Sequence, residues 1–115
     1  MAIPANVRDD AAAALTEFCR EHSAESAATQ QHYEFQILDN YALLIEKRPS
    51  FVNPSESTSR SVAKFRYSEA RNIWSLYWSD AGGKKWNRVS NTKTASNIRE
   101  LLKVVVKDPD GVFWA

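Results

Sequence analysis

The sequence predicts an α+β domain: one antiparallel sheet of about five strands, a hairpin plus a meander, with an N-terminal and a C-terminal helix packed on its aromatic face. Three observations predict it. Val62–Val89, VAKFRYSEARNIWSLYWSDAGGKKWNRV, reads as three strands punctuated by turn signals. Tyr33–Lys47 carries a shorter alternating pattern broken by Asp39-Asn40. Near the two ends, Pro4–Ser23 and Asn97–Lys107 carry apolar residues at helical spacing instead.

In the meander, Ala63, Phe65 and Tyr67 alternate with Lys64 and Arg66, the period of a sheet covered on one side. Ser68–Asn72 is charged and small, a turn. In Ile73–Ser79, Trp74, Leu76 and Trp78 share one face and Ser75, Tyr77 and Ser79 the other; aromatic and β-branched residues favour such a half-buried surface. Ala81-Gly82-Gly83 offers the positive φ angles of a hairpin. Lys84–Val89 returns as the third strand, with Trp86 expected to join the aromatic face.

The remaining elements follow in chain order. Val7, Ala11, Ala14, Leu15, Phe18 and His22 form an apolar stripe, with Asn6 expected as N-cap and Asp9 and Asp10 suiting the positive helix start. Ser23–Gln31 is small and polar, a linker. Tyr33, Phe35 and Ile37 are expected inward on the first strand, and Tyr41, Leu43 and Ile45 inward on its hairpin partner. Pro49–Arg60 has two prolines and five serines or threonines and is expected to be an exposed loop. Asn97 and Glu100 resemble a capping box, and Ile98, Leu101, Leu102 and Val105 fill one face of the second helix. Asp108-Pro109 ends it. The terminal Phe113-Trp114 is expected to dock on the domain.

At 115 residues, with 43% hydrophobic and 25% charged residues, the chain fits a single globular domain, 1–115, with residues 1–31 a helix and linker ahead of the rest. No apolar run reaches membrane-spanning length, and the first residues lack the order of a signal peptide. Cys19 is the only cysteine, so no internal disulfide forms and a reducing, cytoplasmic setting is expected.

The net charge of +1 hides a segregation. Residues 1–59 hold 4 Lys/Arg against 9 Asp/Glu, net −5, whereas residues 60–93 hold 8 against 2, net +6. Either the meander meets an anionic partner, or the acidic N-terminal segment neutralises it within the fold.

The residues do not assemble a recognisable catalytic set. One cysteine with His22 and His32 falls short of a zinc cluster, and Cys19 lies on the apolar stripe where thiols are inert. Gly82-Gly83-Lys84 lacks phosphate-loop spacing. Glu46 and Lys47 are neighbours on a strand, so they point to opposite faces and cannot converge on a metal. What remains is the polar sheet face, where Lys64, Arg66, Tyr77 and Lys85, with Arg71 and Arg88 near the edges, would let cations follow phosphates while the ring stacks on a base. The competing reading is a solvated face whose cations pair with Glu34 and Glu46.

PSExTxxxVAKFRY at Pro54–Tyr67, WxLYWxD at Trp74–Asp80, KW at Lys85-Trp86 and DPxGxFW at Asp108–Trp114 together resemble a family of small uncharacterised bacterial proteins. The resemblance covers residues 32–115. That family has no assigned activity, so the resemblance implies no catalytic residues. Ser57 stands where an aromatic is usual and Asn87 where a histidine is usual. The expectation is therefore a non-enzymatic binding protein without a cofactor. A protein partner or a second copy ranks first, single-stranded nucleic acid second, and membrane is excluded.

Overall fold

The computed structural model describes residues 3–25, 32–49, 57–79, 85–88 and 95–108. In chain order these form α1 (Ala5–Glu25), β1 (His32–Ile37), β2 (Tyr41–Pro49), β3 (Ser57–Ser68), β4 (Ile73–Ser79), β5 (Trp86–Arg88) and α2 (Ile98–Lys107). The five strands pair antiparallel in sequence order. Both helices pack on one side of the sheet, as expected. No helix among the described residues is long and apolar enough to cross a membrane.

The hairpin turn sets the register. The Leu38 N–H donates to the Tyr41 carbonyl at 2.8 Å across Asp39-Asn40, so Ile37 lies opposite Ala42, Phe35 opposite Leu44 and Tyr33 opposite Glu46. Residues directly opposite share a face. With Tyr33, Phe35 and Ile37 turned to the core, Ala42, Leu44 and Glu46 must face it too. This corrects the expected inward set of β2: Tyr41, Leu43 and Ile45 face away from the helices. The turn itself is tied to the helix, with the Ile3 N–H donating to the Asp39 carbonyl at 2.6 Å and the Arg8 guanidinium to the Leu38 carbonyl at 3.0 Å.

Further differences are local. The first helical hydrogen bond runs from Arg8 N–H to the Pro4 carbonyl, so Asn6 sits inside the helix rather than capping it. β2 and β3 continue to Pro49 and Ser57, which pair with each other. Residues 57–60 are thus strand, not loop, because the backbone groups of Glu46 to Pro49 find ladder partners there. Residues 50–56 of the expected loop, the Ala81–Gly83 turn and the Phe113-Trp114 tail lie outside the described residues. A bulge at Val62, between Leu44↔Ala63 and Ile45↔Ser61, sends both Val62 and Ala63 to the core.

The core lies between sheet and helices. Leu15 and Phe18 from α1 and Ile98, Leu101, Leu102 and Val105 from α2 meet Leu44, Phe65, Trp74 and Leu76. Ala42 and Ala63, both fully buried, keep the sheet's centre low enough for helices to approach. α2 is placed by its start: Trp74 and Ala95 exchange two backbone hydrogen bonds at 2.7 and 3.1 Å, occupying the stretch of β4 that short β5 leaves free. The Asn97 side chain accepts the Arg99 N–H at 2.9 Å, and Asp108 closes the helix at φ 44°.

Trp74 is 1% exposed and stands 5.0 Å from the Tyr67 ring. Trp78 is half-buried on the core face, and Trp86 is half-buried on the other. Trp74→Ala is expected to cost about 3–5 kcal/mol, the range of large core truncations. Trp86→Ala is expected to cost about 1 kcal/mol or less. Urea unfolding of the two variants measures both; equal losses would contradict the placement.

Candidate functional site

The candidate site is the sheet face turned away from the helices. Register alone assembles it. Gln36, Leu43, Lys64, Tyr77 and Arg88 lie opposite one another in turn and form one row across all five strands. Tyr41, Arg66 and Ser75 form a row on one side of it, and Ser79 with Trp86 a shorter row on the other. Among the described residues no element packs over this face; its side chains are half-buried or exposed.

Tyr41, Tyr77 and Trp86 thus sit on three strands in three successive rows, a diagonal of rings. Lys64 projects into it. Its ammonium lies 4.5 Å from the centroid of the Tyr41 ring and 6.0 Å from that of Trp86. Both distances are within reach of a cation–π attraction, worth about 0.5–1 kcal/mol at exposed sites. Beside the diagonal, Arg66, Tyr77 and Ser75 join Asn40, Ser68 and Glu69 around a cleft of about 310 Å³.

Of the six residues singled out from sequence, Lys64, Arg66, Tyr77 and Arg88 come together on this face. Lys85 is exposed just before β5, and Arg71 is exposed in the Glu69–Asn72 turn, at the rim. Sequence reasoning missed Tyr41 and Trp86, both assigned to the core, and the apolar pair Leu43 and Ile45. The signal for the β2 residues was present: a two-residue turn after an inward Ile37 dictates an inward Ala42.

The expected acidic partners do not meet these cations. Glu46 is on the core face, 4% exposed, with Arg60 at 3.7 Å. Glu34 pairs with Lys47 at 3.0 Å and His32 at 3.4 Å on the far edge. The hydrogen bond from Lys47 holds its carboxyl below the ordinary value. Asp10 on α1 binds Arg99 at 2.9 Å. Of the described cations between residues 60 and 93, only Arg60 forms an ion pair with a described carboxylate. Lys64, Arg66, Arg71, Lys85 and Arg88 have no carboxylate within 4.0 Å among the described residues. Among the described residues, the N-terminal acids therefore reach only Arg60 of the meander's cations.

No cluster of three His, Cys, Asp or Glu side chains able to hold a metal ion occurs among the described residues. His22 stacks on Phe18 at 4.2 Å and meets Tyr33 edge-on at 6.3 Å, an aromatic extension of the α1 stripe. Cys19 is buried on the same stripe; burial, with Glu34 nearby adding to it, pushes its thiol up to about 11.

Fold and face together define a small α+β domain with one sheet face covered by helices and one left open. The chain belongs to the family DUF3024, a domain of unknown function, whose family model matches residues 3–115. Neither a curated protein nor a solved structure matches it.

The thiol gives a test of the α1 packing. A raised acid pKa means that the folded thiol keeps its proton where the unfolded thiol, at 9.0, has lost it. The contribution to stability is whole below that value and is lost as pH rises toward 11. Cys19→Ala is expected to lose less stability than the parent over that alkaline range. A disulfide reagent at neutral pH should modify the native thiol far more slowly than the urea-unfolded one.

Proposed function

We propose that this domain is a non-enzymatic binding module whose open sheet face takes single-stranded nucleic acid. The observation that carries the reading is the diagonal of Tyr41, Tyr77 and Trp86 interleaved with cations that have no carboxylate within 4.0 Å among the described residues. Each ring offers a stacking platform worth about 1–3 kcal/mol per base. Adjacent strands are about 4.8 Å apart, so β2 to β5 spans roughly 14 Å, room for two or three unstacked nucleotides. Lys64, Arg66 and Arg88 flank the rings on the same face, where phosphates of a strand lying along them would fall. Lys64 now rests on the ring faces that a base would take, so an incoming base turns it toward the backbone. The charged groups around the rings are cations, and Glu34, toward the β1 edge of the same face, is paired with Lys47. A cytoplasmic setting fits the lone thiol.

This ranking inverts the expectation from sequence alone, which placed a protein partner first because the N-terminal acids were expected to cover the meander. One observation favours that second reading: Leu43 and Ile45 lie on the open face beside the rings, and apolar contact there suits a protein partner.

Fluorescence anisotropy of a labelled short single strand, titrated at several salt concentrations, separates the two. Three or four phosphate contacts give a logarithmic salt slope of about −2 to −3, at about −0.7 per contact on single strands. Lys64→Ala with Arg66→Ala should weaken binding and flatten that slope by about 1.4. Tyr77→Ala or Trp86→Ala should weaken binding and leave the slope unchanged, because stacking releases no counterions. Absence of binding at low salt, with a protein partner retained after nuclease treatment, would overturn this reading in favour of the second.

A further inference from the structure

The opposite side of the molecule carries a second surface, independent of the open sheet face. α1 and α2 lie side by side and enclose a groove of about 330 Å³. Its floor is Ala14, Phe18 and Leu102. One wall is acidic, with Glu17 and Glu21 from α1; the other is basic, with Lys103 and Lys107 from α2. Val106 stands at the lip and is 49% exposed, against buried Val105 beside it.

Among the described residues, the walls are not joined by ion pairs of Glu17, Glu21 or Lys107, although the Glu17 charge acts on Arg99 across the groove. Lys103 reaches Glu100 on its own helix at 3.4 Å. A bond between the helices, Arg99 to Asp10 at 2.9 Å, lies at the groove's end. The two walls are equally long: Ala14 to His22 and Arg99 to Lys107 each span eight residue steps, about 12 Å of helix.

We infer that the groove is the interface of a symmetric dimer, its occupant a second copy of this chain. A two-fold axis running along the groove exchanges left and right while keeping each level. α1 of one copy then lies over α2 of the other, so Glu17 and Glu21 meet the basic wall twice, once on each side of the axis. The same operation brings each exposed Val106 to the other copy's groove. An acidic wall, a basic wall and an apolar knob in one groove are self-complementary under this symmetry, which is what an isologous contact requires. A foreign partner would have to carry the same mixed pattern in mirror order.

Analytical ultracentrifugation of the full chain, from micromolar to millimolar concentration, tests this. The expected result is a mass rising from 13.0 kDa toward twice that value. Val106→Asp should abolish the rise while leaving the circular dichroism spectrum unchanged. Glu17→Lys with Glu21→Lys should do the same, as should Lys103→Glu with Lys107→Glu. An equimolar mixture of those two charge-reversed proteins should dimerise again, because every facing pair is then opposite in sign. A parent that stays monomeric throughout overturns the inference. So does a dimer indifferent to Val106→Asp and to both reversals, whose interface lies elsewhere, or a mixture of reversed proteins that fails to pair. None of these variants touches the open sheet face, so oligonucleotide binding reports on that face separately.

Discussion

The turn at Asp39-Asn40 is the constraint on which the rest of the structure depends. It allows two residues between Leu38 and Tyr41, and so fixes which side of β2 faces the helices. A one-residue slip would exchange the whole of each face: Ala42 and Leu44 would move to water, and Tyr41, Leu43 and Ile45 to the core. Three neighbours hold the turn in place. Ile3 and Arg8 donate to Asp39 and Leu38 from the N-terminal side, and the Tyr67 N–H donates to the Asn40 carbonyl at 2.8 Å from β3. The hairpin, the first helix and the meander are therefore locked together at one point.

That register has a cost and a consequence. The cost is Glu46, a carboxylate placed on the core face where its position in the strand demands an inward side chain. Arg60, opposite it on β3, meets the charge, since an uncompensated buried carboxylate is strongly destabilising. The consequence is that the smaller side chains of β2 go under the helices and the larger ones go to the open face. Alanines at 42 and 63 let Leu15, Ile98 and Leu101 pack close to the sheet, so the core fills from the helix side. The rings of Tyr41 and Trp86 are left over, and they gather around Lys64.

How much of this could be read from the chain depends on which interactions set each element. β4 and α2 were legible to the residue or nearly so, because their patterns are unambiguous: Trp74, Leu76 and Trp78 alternate with Ser75, Tyr77 and Ser79, and the α2 stripe has one apolar face. β2 was not legible by periodicity, since YALLIE offers two alternating sets and the larger one is the wrong choice. Pairing arithmetic through the turn decides it, and that arithmetic needs the turn length, not the hydrophobicity. Trp86 failed for the same reason. Trp78 lies opposite Asn87, so its neighbour Trp86 faces outward, and only the span between β4 and β5 fixes this parity. The charge partition was legible and its interpretation was not, because sequence shows that acids and bases are segregated but not which of them touch.

The two surfaces derived from the structure lie on opposite sides of one thin layer, and their geometry couples them. A dimer formed through the helical groove turns both open sheet faces outward, with two helix layers between them. A short single strand then engages one face at a time and gains nothing from the second. A strand long enough to pass around the dimer gains the second contact at an effective concentration set by its own slack. Two separate strands are instead brought together, each on its own face. In the proposed binding mode, affinity for short oligonucleotides would belong to Tyr41, Tyr77, Trp86 and the cations beside them, whereas any dependence on strand length would belong to Glu17, Glu21, Val106 and the basic wall of α2. Variants in the groove alter the second without the first, because no side chain contributes to both surfaces.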